Sequence, residues 1–249
     1  MPTWEWRVFI RERDEAQRFW ESLGMGPWPN LEECRVDCYL PVSEVLGLKM
    51  RGGPSSELEC KLRLERKKRG AELWKKVIFP LEKSGCICKA DLLGVCEWLR
   101  GRSESKEPAS AAFAALNSVM EFWQSREVLV LPTCSVSKKR SKVRMPNRAG
   151  IAAELTEIVV DDSVQGPVWS ICIEGKSAPK VYEVLENCTY FPTSVYHSST
   201  EGAHQLSQMS IGYPLFVISS RDDVLQQEPE KASSAYGVPS MDQLSVPIG

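Results

Sequence analysis

The sequence predicts an α+β fold built around a closed antiparallel β-barrel with helices packed outside. Strand-length runs in the first third alternate charged with apolar residues, as in 47–51 (GLKMR) and 57–63 (ELECKLR). Turn-forming residues such as GGPSS at 52–56 separate these runs at short intervals. Helical periodicity is confined to a few longer segments between two strand-rich halves. Successive side chains of a strand face opposite ways, so Lys49 and Arg51 point together, as do Glu57, Glu59, Lys61 and Arg63. An open sheet turns such an ionic face to water. Closing the sheet turns it inward and lines a tunnel suited to a polyanion with metal ions.

The elements follow in order. Residues 4–10 alternate as a first strand, and 11–24 (RERDEAQRFWESLG) read as an amphipathic helix stopped by Gly24. Strands are expected at 35–40, 45–50, 57–65 and 71–78, paired as short antiparallel hairpins. Helices are expected at 90–100 and 109–123, with the polar stretch 101–108 breaking them apart. The second half holds strand candidates in 127–144, 152–160 and 168–174, then a helix at 177–187. After about residue 221 the chain turns rich in Gln, Glu, Pro and Ser. Residues 1–221 are therefore expected to form the barrel domain and 222–249 a disordered tail.

Composition narrows the function classes. A chain of 249 residues with 43% hydrophobic content can bury a substantial core. A net charge of -2 and a pI near 5.9 argue against a broad nucleic-acid interface. The nine cysteines include no CxxC pair, and His197 and His204 are the available imidazoles, so a structural zinc site is not expected. The N-terminus has no apolar leader, and no run approaches the roughly 18 apolar residues of a bilayer span. A cytoplasmic protein that does not engage membranes is the expectation.

Two sets of residues carry the chemistry. Arg7, Lys49, Arg51, Lys61, Lys138 and Arg140 stand in strand-like segments at positions an inward face would hold. Enclosed cations need counter-charge, since two unit charges ~4 Å apart interact by about 4 kcal/mol at an effective dielectric near 20. A phosphate chain supplies it, with Arg as bidentate donor and Lys as point charge. The same spacing also fits cations on a solvated surface. The acidic set is Glu5, Glu57, Glu59, Glu72, Glu154, Glu157, Asp161, Asp162 and Glu174. Carboxylates converging opposite phosphate would hold Mg²⁺ or Mn²⁺, and ion pairing with nearby Lys and Arg is the competing reading. Alternation puts Glu157 and Asp161 on one face, and Ser170, Cys172 and Glu174 on one face of the next strand. Gly175-Lys176-Ser177 lacks the upstream glycine of a phosphate-binding loop, having Ser170 instead, and the histidines lack a GxSxG partner. Trp4, Trp6 and Trp74 fit a core better than a ring-stacking wall. No cysteine is expected at a helix N-terminus beside a fixed base, so a thiol enzyme is disfavoured.

The order Asp37-Cys-Tyr39, Leu48-Lys-Met-Arg51, Leu58-Glu-Cys-Lys61, Glu72, Lys138-Lys-Arg140, then Asp161 to Glu174, resembles the CYTH or triphosphate tunnel metalloenzyme family over roughly residues 3–215. That family includes thiamine triphosphatases, class IV adenylyl cyclases and inorganic tripolyphosphatases. The resemblance implies an eight-stranded antiparallel barrel and metal-dependent hydrolysis of a triphosphate-containing compound or polyphosphate. Catalytically weakened triphosphate binding is the alternative. It further implies Arg7, Lys49, Arg51, Lys61, Lys138 and Arg140 on the phosphate chain, Glu5, Glu72 and Glu174 in catalysis, and Glu5, Asp161 and Glu174 on Mg²⁺ or Mn²⁺. The chain departs from the family's first-strand ExExK, which stands here as Thr3, Glu5 and Arg7, and from its closing ExE, where Ser170 and Cys172 precede Glu174.

Overall fold

The computed structural model describes residues 1–51, 57–82, 86–103, 107–124, 133–160 and 166–196, with Gly212, Pro214 and Phe216. Its elements are β1 (Thr3–Ile10), α1 (Arg13–Ser22), β2 (Glu33–Ser43), β3 (Leu46–Arg51), β4 (Glu57–Arg66) and β5 (Glu72–Pro80). After these come α2 (Lys89–Ser103), α3 (Glu107–Gln124), β6 (Cys134–Arg144), β7 (Ile151–Val160), β8 (Val168–Gly175) and α4 (Ala178–Glu186). The eight strands form a closed barrel in the order β1-β5-β4-β3-β2-β6-β7-β8. Every neighbouring pair is antiparallel, and β1 closes the ring against β8 from Trp4 opposite Gly175 to Ile10 opposite Trp169. Both strand-rich halves of the sequence thus contribute to one barrel.

The outer face of the barrel is apolar because helices cover it. Trp6, Val8 and Ile10 of β1 and Ile171 and Ile173 of β8 pack with Phe19 and Trp20 of α1 and Val181 and Leu185 of α4. Leu46, Leu48, Leu58 and Leu62 of β3 and β4 pack with Leu92, Val95 and Leu99 of α2 and Leu116 of α3. These fully buried aliphatic and aromatic side chains, each worth roughly 1.5–3 kcal/mol, orient the alternation: with one face committed to the helices, the ionic face has only the interior left.

Local signals explain the ends. Gly24 adopts φ 74°, a conformation that favours glycine, and its N–H bonds Glu21 O at 2.9 Å to stop α1. The stretch 101–108, expected as a break throughout, is helical at 101–103 and 107–108. Arg102 closes the end of α2 by donating to Trp98 O at 2.9 Å, and Pro108 falls in the first turn of α3, where its missing N–H costs nothing. The expected strand start at 127–132 and the tail 222–249 lie outside the described residues. No described helix is long and apolar enough to cross a membrane.

Candidate functional site

Inward alternation on all eight strands produces one ionic cavity of about 670 Å³. Its lining includes nine Lys and Arg side chains and five Glu, and it opens beside the exposed Met1 and Ile78. Glu5, Arg7, Lys49, Arg51, Lys61, Glu72, Lys138, Arg140 and Glu174 all line it. Asp161 lies outside the described residues, as do Asp162, His197 and His204.

Each inward cation is matched by a carboxylate. At the centre, Asp37 Oδ2 accepts from Lys138 Nζ at 2.9 Å and Lys49 Nζ at 3.1 Å, and Lys138 also donates to the Tyr39 hydroxyl at 2.6 Å. Arg7 donates to Ser170 Oγ at 2.8 Å and to Glu154 at 3.2 Å, while Arg140 reaches the other oxygen of Glu154 at 3.1 Å. Lys61 donates to Glu5 at 2.7 Å. Glu59 gathers Lys76 at 2.6 Å, Arg51 at 2.9 Å and Lys49 at 3.3 Å. Glu72 takes Arg63 at 2.9 Å and the indole of Trp74 at 3.2 Å, and Glu174 pairs with Lys142.

Burial and charge act against each other here. Burial alone would raise the Glu154 carboxyl, but Arg7 and Arg140 hold it down at about 2. Glu59 is likewise raised by burial and brought to about 2 by Lys49 and Lys76. Asp37 is held below the usual carboxylate range, as Lys138, Lys49 and Arg35 overcome its desolvation. Glu72 goes the other way, because burial outweighs Arg63 and Arg66. Among the cations, burial and the neighbouring Lys49 push Lys138 well down, whereas Glu5 more than offsets the burial of Lys61 and raises it.

Toward the other end of β1 the interior is apolar. Phe9, Val136, Ile158 and Val168 surround Phe216, which stacks on Phe9 at 4.0 Å with Tyr196 edge-on at 5.4 Å. Gly212 sits beside Glu72 and Trp74, and a Cβ on Gly47 would stand 2.9 Å from Pro214. The expected tunnel is, among the described residues, a cup with an ionic upper part and an apolar floor.

Three carboxylates occupy one row. Glu5 is directly opposite Glu72 on β5 and Glu174 on β8. Their oxygen chemistry suits a hard divalent ion. Each nonetheless leans toward its own cation, and among the described residues no three acidic, His or Cys side chains gather as a metal cluster.

Several residues of the cavity were not singled out as site residues from sequence. Alternation within 155–161 draws attention to Glu157, yet Glu157 faces outward to Lys139 while Glu154 turns in. The deciding signal was Ile151, Ala153 and Leu155, whose apolar side chains belong to the helix-covered face. Asp37, Arg35 and Lys142 share inward parity with Tyr39 and Arg140. Trp6 and Trp74 are both buried, as expected, and Trp74 also lines the cavity. A larger cleft of about 910 Å³ lies outside the barrel, where Arg13 covers Trp28 and Trp169. Of the ionic sets above it holds Glu157 alone, and it holds none of the inward cations. No protein-family model matches the chain, and a comparison with curated proteins finds no match.

Proposed function

We propose that the barrel binds the phosphate chain of a triphosphate-containing small molecule or of polyphosphate. The observation that carries this reading is the surplus of cation in the lining, nine basic side chains against five Glu, with Asp37 beneath them. A phosphate chain offers oxygens along its whole length, so it can take over contacts from Glu5, Glu154 and Glu59 without leaving Lys61, Arg7, Arg140 or Arg51 unmatched. Mixed Arg and Lys suit such a ligand better than a single carboxylate. The floor at Phe9 and Phe216 favours a ligand that enters by its terminal phosphate from the Met1 side. The resemblance to triphosphate tunnel metalloenzymes supports the same ligand class.

Metal-dependent hydrolysis of the bound triphosphate is a second reading, favoured by the row of Glu72, Glu5 and Glu174 on adjacent strands. Mg²⁺ or Mn²⁺ held by these carboxylates would neutralise phosphate charge and lower the pKa of a bound water. The chain's own part is to fix the phosphates with Arg7, Lys61 and Arg140 and to stabilise charge moving onto the leaving group.

Calorimetry and phosphate release with tripolyphosphate, thiamine triphosphate and ATP test both readings, with Mg²⁺, Mn²⁺ or chelator. Lys61→Ala is expected to weaken binding at least about tenfold, the scale of one lost hydrogen bond to a charged group. Chelator-sensitive release that Glu174→Gln abolishes, with binding retained, supports hydrolysis. Binding without release leaves the binding reading alone. An absence of binding to all three compounds overturns both.

A further inference from the structure

One buried carboxylate is bonded to residues on both sides of the segment between β5 and α2. Asp91, 5% exposed in the first turn of α2, accepts the Glu82 N–H at 2.7 Å on one oxygen and the Cys88 N–H at 2.6 Å on the other. Ile87 is fully buried in the core that also holds Leu92 and Val95, so it pins the connection between barrel and helix. Cys86 and Cys88 flank that anchor. Both are half-buried, and their Sγ atoms stand 3.8 Å apart. Residues two apart have Cα atoms separated by at most about 7 Å, so the chain itself keeps this pair within reach of a disulfide. Cys88 immediately precedes α2, and the bond from its N–H to Asp91 fixes the backbone that carries its thiol.

We propose that Cys86 and Cys88 form a redox-active dithiol that exchanges with low-molecular-weight disulfides and closes to an intramolecular disulfide. One thiolate attacks the disulfide of glutathione, forming a protein–glutathione bond and expelling one glutathione thiolate. The second protein thiolate attacks the protein sulfur of that mixed disulfide and expels the other glutathione. The pair gives up two electrons and two protons, and one glutathione disulfide becomes two thiols. Holding the second sulfur 3.8 Å away makes this last step effectively unimolecular, so the mixed disulfide is short-lived. Cys34 is exposed and, among the described residues, has no paired thiol, which makes it an internal comparison within the same chain. The dithiol goes beyond the phosphate reading and does not rest on it.

The full chain is equilibrated with a series of glutathione disulfide to glutathione ratios, acid-quenched, alkylated and mapped by peptide mass spectrometry. The expected product is a peptide spanning 86–88 that has lost two hydrogens and carries no glutathione, while Cys34 accumulates the mixed disulfide. In Cys88→Ser, glutathione is expected to stay on Cys86, because the resolving sulfur is gone. Glutathione persisting on Cys86 or Cys88 of the unaltered chain, or both thiols remaining reduced at ratios that modify Cys34, would overturn the proposal.

Discussion

Glu154 is the residue on which two strands' cations depend. It receives Arg7 on one oxygen and Arg140 on the other, and its side chain is 11% exposed. Removing one partner of a buried pair leaves the other charge without compensation, so Glu154→Gln is expected to cost about 3–5 kcal/mol, read as a lower urea midpoint at neutral pH. Arg7→Met combined with Glu154→Met is expected to cost less than the sum of the single changes. The same carboxylates set the response to acid. Glu59 and Glu154 lie at about 2 in the folded chain against 4.5 ordinarily, so their contribution is full above about pH 4.5 and disappears as pH falls toward 2. Glu72, raised by burial, has the opposite sign: its ionisation costs stability once pH climbs past its ordinary value. Urea titrations between neutral pH and pH 2.5 are expected to show a steep loss of stability below 4.5. A flat profile there would mean these ion pairs contribute nothing.

At the scale of elements, the end of β8 shows how tightly the sheet meets its helices. Gly175 lies opposite Ile151 on β7, and a Cβ placed there would run into Ile151 Cδ1 and come within 3.6 Å of Val181 on α4. Gly175→Ala is therefore expected to lower stability by about 1–3 kcal/mol, measured by thermal or urea unfolding, through crowding alone. Unchanged stability would mean Ile151 repacks without cost. The row of Glu72, Glu5 and Glu174 depends on the same registers. Alternation shows which residues share a face with each of the three, and the pairing of β1 with β5 and β8 puts them side by side.

At the scale of the whole molecule, the apolar floor joins distant parts of the chain. Phe216, far along the chain, stacks on Phe9 of the first strand inside the barrel. Phe216→Ala is expected to destabilise by about 3–5 kcal/mol, seen in urea unfolding, since a fully buried ring leaves a cavity. If that variant folds and the barrel takes a phosphate chain as proposed, long polyphosphate is expected to gain affinity relative to tripolyphosphate, whereas the unaltered chain is expected to bind the two alike. Equal preference in both proteins would show that the floor does not limit ligand length.

The alternation of Lys49 with Arg51, and of Glu59 with Lys61, was enough to reveal strands with one ionic face, because a two-residue period is a local property of the backbone. The longer helical period revealed the helices in the same local way. What local periodicity does not carry is which face each strand buries and which strands become neighbours. Burial of Leu155 against the helices turned Glu154 in and Glu157 out, and closure of β1 on β8 brought Glu5 to Glu174 across most of the chain. The pairing of Asp37 with Lys138, the floor at Phe216 and the approach of Cys86 to Cys88 were decided at the same level. Each joins groups through packing and loop closure, and those depend on the whole chain's buried area, not on the residues beside them.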